Sequence, residues 1–577
     1  MITKKNILLF LALLGLVACG KQSKESAQAG AGSVCATQQS TAALKAMDTT
    51  RQIAPLLTTL GDYGFRITTA SEEAQKFFNQ GLNLYYGFNH LEAYRSFREA
   101  ARLDPSCAMC WWGQALSLGP NINAPMDASD ATVVYNAVRR AQVNAAKTTP
   151  LEQGLIEAIA RRYVAQAPAD RSPLDQAYAD AMRNLQTKFP DVDEVTTLTS
   201  EALMDLHPWD YWLRNGKPQP WTPEILALME KVMSRSPRHP GANHYYIHIN
   251  EASSNPGKAM ASADLLRDLV PGAGHLVHMP SHIYIRTGRY SDGIKANQKA
   301  VLADEDYIST CRAQGIYPLS YYPHNYHFYW ACAQMAGQGK LALDVARRLV
   351  AKTAVSKMGE PDWLTLQHYY VSPWYTMVRF GQWGELANEA KPADSLSYVL
   401  AIWHYANGMA AVKINKPEDA KQHLEAIRSI HAIPELTNQK IWSVNSFSHV
   451  IGIATYVLEG EYLASTGRHD EAITTLQKAL VAEDGLLYQE PPDWYYPVRE
   501  ILGNVLLKAK KYHEAENMFR DDLTMYPENG WSLGGLYRAL KAQGKSKEAD
   551  AIRVRFEKAF AEADENLRGS AGLLAIN

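Results

Sequence analysis

The spacing of small, bulky and polar residues along the chain predicts paired helices with a fixed period. Residues 74–107 form a 34-residue unit that shows the pattern clearly. Its positions 8, 20, 24, 27 and 32 are occupied by Gly81, Ala93, Phe97, Ala100 and Pro105. Small residues at positions 8 and 20 let two helices approach closely, a bulky residue at position 24 fills the seam, and proline at position 32 ends the second helix. The unit is therefore predicted to be a helix–turn–helix hairpin, and strand signals are nearly absent from the chain.

The same register recurs, so the chain is predicted to be an array of such hairpins. Two central units, 240–273 and 274–307, follow each other directly at the 34-residue step. Further copies carry the small residue of position 8 at Gly408, Gly460 and Gly503, and weaker copies occupy 108–239, 323–356 and 367–400. Such an array is one continuous solenoid, because each hairpin buries its apolar face only against its neighbours.

These positions resemble the tetratricopeptide repeat, a 34-residue helix–turn–helix. The resemblance covers most of the chain and implies an all-α solenoid of about ten to twelve antiparallel helix pairs within residues 56–577. In the family, positions 2, 5, 9 and 12 of the first helix line a concave groove, where peptides or proteins are commonly bound. One functional hypothesis is therefore a scaffold that binds a peptide or an envelope protein in this groove.

The first 18 residues have the pattern of an export signal. Two lysines precede an apolar run, residues 7–18, that is too short to span a bilayer with its flanks. The run ends in Leu-Val-Ala-Cys, which resembles the lipobox of bacterial lipoproteins and implies that Cys19 is lipidated. The residue after the cysteine is Gly20. In that family an aspartate at this position favours retention in the inner membrane. Glycine therefore implies the outer membrane, facing the periplasm. Residues 19–55 are rich in Gly, Ser, Ala and Gln and are predicted to form a flexible tether.

Net charge argues against a nucleic-acid partner. The 577 residues include 58 Lys+Arg and 60 Asp+Glu, which gives a formal net charge of -2. Binding to phosphates needs a basic face, so we expect no nucleic-acid role. Membrane association is expected through the lipid anchor only.

Cys107 and Cys110 form a CxxC motif. A disulfide or redox pair and two small residues at a helix junction are both compatible with this spacing. One CxxC alone is a weak signal, so the sequence leaves the pairing of the cysteines open.

Histidine is distributed unevenly and falls on predicted groove positions. Of the 17 histidines, seven lie within residues 244–327. In the units that start at 240, 274 and 323, positions 2, 5 and 9 carry His244, His248, His275, His278, His282, His324 and His327. His368 takes position 2 of the unit that starts at 367, and Glu251 takes position 12 of the first. Since the family's core positions hold other residues, packing alone does not explain this cluster.

The spacing of these histidines predicts a metal site. His244 and His248 share one helix face with Glu251 one turn further on, and His278 and His282 repeat the arrangement on the next groove helix. Neighbouring helices pack about 8–10 Å apart, so imidazoles from both can converge on one point. Imidazole and carboxylate are usual ligands of Cu, Zn or Fe. The predicted ligands are His244, His248, Glu251, His278, His282 and His327, and the residues predicted as further ligands or as groups that orient them are His275, His324, His368 and Glu201.

The sequence leaves two functions open. With metal bound, the protein is a metal-dependent enzyme or a metal-handling protein, and no motif names the reaction. Without metal, the histidine-lined groove binds a peptide, with a pH dependence set by imidazole.

Two features beside the cluster affect its geometry. Pro280 falls inside a predicted groove helix, so that helix kinks or begins there, and the preceding histidines lie either on its face or on a loop. Aromatic-rich insertions at 208–224 and 308–322 either form a lid or wall of the groove or pack on the outside of the solenoid.

Overall fold

The computed structural model describes residues 51–313 and 315–569. The predicted signal peptide, Cys19 and most of the predicted tether lie outside these residues. Across the described part of the chain, no helix has the length and apolar character needed to cross a membrane. The first described residues pack on the solenoid: the N–H of Ile53 donates to Glu99, and the carbonyl of Ile53 accepts from Arg95.

Successive α-helices joined by short turns make up most of the described chain. The first are α1 (Glu72–Tyr86), α2 (His90–Leu103), α3 (Ala108–Ser117), α4 (Ala131–Asn144), α5 (Pro150–Ala160), α6 (Ser172–Lys188), α7 (Asp193–Asp205) and α8 (Thr222–Arg235). The central ones are α9 (Pro240–Glu251), α10 (Met260–Leu269), α11 (Gly274–His278), α12 (Pro280–Arg286), α13 (Tyr290–Cys311), α14 (Tyr322–Met335), α15 (Gly339–Lys352), α16 (Thr365–Tyr370), α17 (Ser372–Arg379) and α18 (Trp383–Leu386). The last are α19 (Ser397–Lys413), α20 (Pro417–His431), α21 (Phe447–Ser465), α22 (His469–Asp484), α23 (Val498–Lys508), α24 (Tyr512–Met525), α25 (Gly530–Ala542) and α26 (Ser546–Ala559).

Consecutive helices pack as hairpins, which confirms the predicted all-α helical-repeat solenoid. Examples are α1 with α2, α14 with α15, and α21 with α22. The predicted contact between positions 8 and 24 is present: a Cβ added to Gly81 would lie 2.8 Å from Phe97, and one added to Gly503 would lie 2.6 Å from Phe519. A larger residue at position 8 would therefore force the two helices of a hairpin apart, which explains the regular spacing of small residues.

Prolines interrupt two of the groove helices. Helix α11 ends at His278 and α12 begins at Pro280, so the histidines before the proline remain helical but lie on a separate short helix. Helices α16 and α17 are divided in the same way just before Pro373. Proline has no N–H to donate to a carbonyl of the preceding turn, which accounts for both breaks, although the residue before each proline is itself helical.

The unit predicted at 367–400 departs from the hairpin pattern. Its second helix is reduced to α18, and the following segment contains Pro392 where a longer helix would continue. A short antiparallel hairpin of β1 (Lys440–Ile441) and β2 (Asn445–Ser446) follows later in the chain. At the start of α3, Cys107 and Cys110 form a disulfide, which resolves the question that the CxxC motif left open.

The solenoid winds so that late hairpins contact central ones. The hydroxyl of Tyr290 donates to the carbonyl of Pro527 at 3.0 Å, and the guanidinium of Arg379 makes hydrogen bonds of 2.9 and 3.0 Å to Glu500. In the loop between α7 and α8, the guanidinium of Arg214 donates to the carbonyl of Gly485. The loop between α22 and α23 is thereby held beside the helices that carry the histidines.

Candidate metal centre

Six of the predicted site histidines converge in two groups of three. Helix α9 supplies His244 and His248, α11 supplies His275 and His278, α12 supplies His282 and α14 supplies His324. In each group, one possible ligand atom from every residue lies within 4.8 Å of the others. We call the first group triad 1 (His244, His248 and His275) and the second triad 2 (His278, His282 and His324).

In triad 1, a backbone carbonyl fixes the orientation of His244. Its Nδ1 lies 2.7 Å from the oxygen of Tyr86, at the end of α1. A carbonyl can only accept, so Nδ1 carries the proton and the Nε2 of His244 presents a lone pair. That Nε2 lies 3.1 Å from the Nε2 of His275. The Nε2 of His248 and the Nδ1 of His275 are buried and have no hydrogen-bond partner.

In triad 2, an amide plays the corresponding role. The Nδ1 of His278 lies 2.7 Å from Oδ1 of Asn297, and the Nδ2 of that asparagine donates to the carbonyl of Gly293 at 2.8 Å. The asparagine oxygen is therefore the acceptor, and the Nε2 of His278 presents a lone pair. This Nε2 lies 3.0 Å from the Nε2 of His282, and the Nδ1 of His324 is buried without a partner.

Glu251 lies between the two triads and contacts one imidazole of each at its Nδ1. Its Oε1 lies 3.3 Å from the Nδ1 of His248. Its Oε2 lies against the Nδ1 of His282 at ion-pair distance, without hydrogen-bond geometry. A carboxylate favours the proton on the imidazole nitrogen that faces it, which leaves Nε2 free in both histidines. The structure thus places Glu251, predicted as a ligand, where it orients one histidine of each triad.

Burial keeps all six imidazoles neutral. Loss of solvation lowers the pKa of each histidine in both triads, and for His282 the pKa falls to about 3. Neighbouring imidazoles lower it further in triad 1, where His248 acts on His244. A neutral imidazole is the form that binds metal, so the ligands need not lose a proton at neutral pH.

Residues of both triads line one cavity of about 90 Å³. The walls are formed by Asn123, Trp209, His248, Glu251, His275, His282, Ser320, Tyr321, His324, Trp442, Tyr488, Gln489 and Glu490. Both aromatic insertions contribute to these walls, 208–224 through Trp209 and 308–322 through Tyr321, which favours the lid-or-wall interpretation. The residues from 442 and 488–490 were not predicted, since no sequence signal places these distant segments at the histidines.

His327 and His368 lie outside both triads and close to each other. Their ring centroids are 5.4 Å apart, and the Nδ1 of His368 lies 2.8 Å from the hydroxyl of Tyr398. Neither ring nitrogen of His327 has a hydrogen-bond partner. These two histidines form a separate buried pair beside the centre.

Glu201, on α7, is buried among tyrosines. Its carboxyl accepts hydrogen bonds from Tyr85 at 2.5 Å and from Tyr245 at 2.9 Å. Burial, with a further contribution from the charge of Asp205, raises the pKa of Glu201 to about 8. Glu201 therefore lies outside the triads. Tyr245, which stacks on His244, stands between Glu201 and that histidine.

Comparisons with known proteins do not place the chain in a family. No protein-family model matches the sequence, and no curated protein matches it. The structure of a human IFIT1 dimer with m7Gppp-AAAA is 13% identical to this chain, and the match covers 86% of this chain and 92% of that one, with a TM-score of 0.31. Yeast Tom70 is 13% identical, with 85% and 92% covered and a TM-score of 0.24, and the P58(IPK) TPR domain is 10% identical, with 82% and 99% covered and a TM-score of 0.20. The fold assignment depends on the hairpin packing described above.

Proposed function

We propose that this protein binds two transition-metal ions, one in each histidine triad, and acts with them on a small molecule held in the adjoining cavity. The observation that carries the proposal is the pairing of Nε2 atoms. In triad 2, the Nδ1 of His278 and that of His282 each face an acceptor, so two Nε2 lone pairs face each other at 3.0 Å. Two such lone pairs repel unless a cation lies beside them, and buried polar atoms are rarely left unpaired.

Triad 1 supports the same conclusion. The Nε2 of His244 presents a lone pair to the Nε2 of His275 at 3.1 Å. Either tautomer of His275 leaves one of its buried nitrogens without a complementary partner, and the Nε2 of His248 is also unpaired. One metal ion bound by the three imidazoles would satisfy these atoms at once.

The ligands favour a particular class of metal. Imidazole nitrogen suits Cu, Zn or Fe, whereas Ca²⁺ and Mg²⁺ prefer oxygen ligands. Three protein ligands per ion leave coordination positions open, as in catalytic sites, whereas structural zinc sites are closed by four. The open side in both triads is the cavity, which favours an enzyme over a storage protein.

The two ions would adjoin the same cavity, since residues of both triads line it. Ring centroids of His248 and His282 are 5.8 Å apart, and so are those of His275 and His278, one ring from each triad. Glu251 lies between the triads and supplies a negative charge close to both.

The alternative function is a metal-free scaffold that binds a peptide in the groove. The geometry supports it less well, because the groove histidines face a cavity partly closed by the loop between α22 and α23. Binding of an extended peptide needs an open groove along successive repeats.

We also propose that the protein is an exported lipoprotein, anchored through Cys19 to the outer membrane and facing the periplasm. The lipobox-like sequence and the charged, apolar segment before it support this location. A Cys19→Ser variant should appear in the soluble periplasmic fraction. Persistent membrane association of that variant would show that the anchor lies elsewhere.

Metal analysis of the purified protein tests the main proposal. After incubation with Cu, Zn or Fe and removal of free ions, the wild-type chain should retain about two ions, and His244→Ala and His278→Ala about one each. His513→Ala, a change of an exposed histidine, is the matched control and should retain both ions. Circular dichroism verifies that each variant is folded. Equal metal content in all four proteins, or none in any, would refute the ligand assignment.

A further inference from the structure

We propose that the cavity binds a small carboxylate anion, whose charged end lies at the metal ions and accepts a hydrogen bond from the hydroxyl of Tyr321. This inference rests on the proposed metal function and names the class of substrate for the same site. Tyr321 lines the cavity, and its ring meets that of His275 in triad 1 edge to face, with centroids 5.2 Å apart.

The charges around the cavity favour an anion. The charged side chains of the lining are Glu251 and Glu490. Two divalent ions carry more positive charge than these two carboxylates carry negative charge, and the guanidinium of Arg286 lies 5.5 Å from the ring of Tyr488 in the cavity wall. Opposite charges attract most strongly where little water separates them, so the metal-loaded cavity attracts an anion and repels a cation.

The hydroxyl of Tyr321 can donate to such an anion. The Nδ2 of Asn123, a half-buried residue of the same lining, donates to the oxygen of this hydroxyl at 3.0 Å. A tyrosine hydroxyl has one hydrogen of its own, so Tyr321 keeps a donor for another acceptor. Hydrogen bonds to a charged acceptor are stronger than those to a neutral one, so this donor favours a carboxylate over an uncharged ligand.

The turn that carries Tyr321 is tied to triad 1. Residues Tyr317–Tyr321 form a π-helical turn directly before α14. The hydroxyl of Tyr317 accepts the N–H of His275 at 3.1 Å and donates to Asp304 at 2.7 Å. Turns of this kind are rare and frequently lie at functional sites. The fold thus fixes Tyr321 relative to the histidine whose ring it meets.

The other walls favour an apolar end on the anion. Trp209 meets His248 of triad 1 edge to face with ring centroids 5.1 Å apart, and Trp442 meets His324 of triad 2 at 5.6 Å. Aromatic walls stabilise a methyl or methylene group and do not replace the water around a strongly hydrated inorganic anion such as phosphate. A short-chain carboxylate has both a charged end and an apolar end.

The volume of the cavity limits the size of the ligand. The cavity has about 90 Å³, whereas an engineered cavity that accommodates benzene has about 150 Å³. We therefore expect acetate or a similarly small acid to fit, and an aromatic acid to be too large.

Four probes test the ligand class with the metal-loaded protein, by titration calorimetry. Acetate is the reference. Acetamide has the same shape without the charge, benzoate has the same carboxylate on a larger body, and inorganic phosphate has charge without an apolar end. We expect acetate to bind at least about tenfold more tightly than each of the other three. Equal affinity for acetate and acetamide, or tighter binding of benzoate or phosphate than of acetate, would overturn the proposal.

Tyr321→Phe tests the hydrogen bond. The change removes the hydroxyl and keeps the ring against His275, so two ions should remain bound while the affinity for acetate falls about tenfold or more, the usual effect of losing a hydrogen bond to a charged group. The ratio of acetate to acetamide affinity is the readout, because a change in packing alone would lower both affinities alike. Tyr537→Phe, at a partly exposed tyrosine on α25 outside the cavity lining, is the matched control. An unchanged ratio in Tyr321→Phe would refute the contact.

Removal of metal separates this inference from the metal proposal. Chelator-treated protein should lose acetate binding, because the ions supply the attraction. Acetate binding that is equally tight with and without the ions would overturn the inference and leave the metal proposal standing. If two ions bind and acetate does not, the ligand class is wrong and the metal proposal again stands. If metal analysis finds no ion in either triad, both proposals fail.

Discussion

The carboxylate of Glu251, at the end of α9, contacts the Nδ1 of His282 on α12. Its other oxygen lies 3.3 Å from the Nδ1 of His248, on its own helix. One carboxylate therefore orients an imidazole in each of two triads. Groups that hold the far edge of a ligand imidazole set both its tautomer and its direction.

The first prediction concerns the change Glu251→Gln. Glutamine offers one acceptor oxygen and one NH₂ group, so at least one of the two Nδ1–H groups would lose its acceptor. We expect the affinity for metal to fall roughly 10- to 100-fold, as for other losses of a group that orients ligands. Competition against a chelator of known affinity measures the change, with Glu435→Gln as the exposed control. If Glu251→Gln binds metal as tightly as the wild-type protein does, the carboxylate does not orient the ligands.

The fold could be predicted from local spacing. The distance of 16 residues between Gly81 and Phe97 places positions 8 and 24 in contact within one hairpin, and the structure has that contact. The position of His244 and His278 on successive groove helices follows from the same register. Both inferences use contacts between neighbours in the chain, which are what a repeat pattern records.

The groupings within the site could not be predicted in the same way. The acceptor for His244 is the carbonyl of Tyr86, 158 positions away, and the cavity wall includes Glu490, still further along the chain. These contacts depend on the sum of small rotations between repeats, which no single hairpin specifies. Carbonyl acceptors also leave no mark on the amino-acid sequence, because every residue has one.

The second prediction concerns the start of α11, which carries two of the histidines. A Cβ added to Gly274 would lie 1.9 Å from Oδ1 of Asp304. Asp304 is buried and accepts hydrogen bonds of 2.7 Å from Tyr317 and from Asn325. Gly274→Ala should therefore destabilise the protein by about 1–3 kcal/mol, the usual cost of overpacking, and lower its metal content.

Urea unfolding and metal analysis of the same preparations check this prediction. Gly359→Ala is the matched control, because a Cβ added at Gly359 meets no atom within 4 Å. If Gly274→Ala is as stable as Gly359→Ala, α11 does not pack as closely against Asp304 as the structure has it.

The third prediction concerns the pH dependence of stability at Asp493. Burial raises the pKa of this carboxyl from 3.8 to about 7, with a hydrogen bond of 2.7 Å from the Nδ2 of Asn445 opposing the shift. The folded state thus keeps a proton that the unfolded state releases above pH about 4. The contribution of Asp493 to stability is fully present at low pH and is lost as the pH rises from about 4 to 7.

Asp493→Asn removes this titration. Three pH units correspond to about 4 kcal/mol, so the free energy of unfolding of the variant relative to wild type should rise by up to that amount between pH 4 and pH 7. Using the difference between the two proteins cancels the titration of the other buried groups. A difference that does not change with pH would contradict a raised pKa at Asp493.

The fourth prediction concerns the closure of the solenoid. Arg379 on α17 and Glu500 on α23 form a bidentate pair in which both side chains are almost fully buried, and Asn529 donates a further hydrogen bond of 2.8 Å to Glu500. Removing one partner of a buried pair leaves the other charge without compensation, which costs about 3–5 kcal/mol. We expect Glu500→Gln to lower stability to unfolding by an amount in that range. Glu471→Gln, in the exposed pair with Arg468, should lower stability far less, since solvent screens that pair. Similar urea midpoints for the two variants would mean that the contact between α17 and α23 does not hold the winding closed.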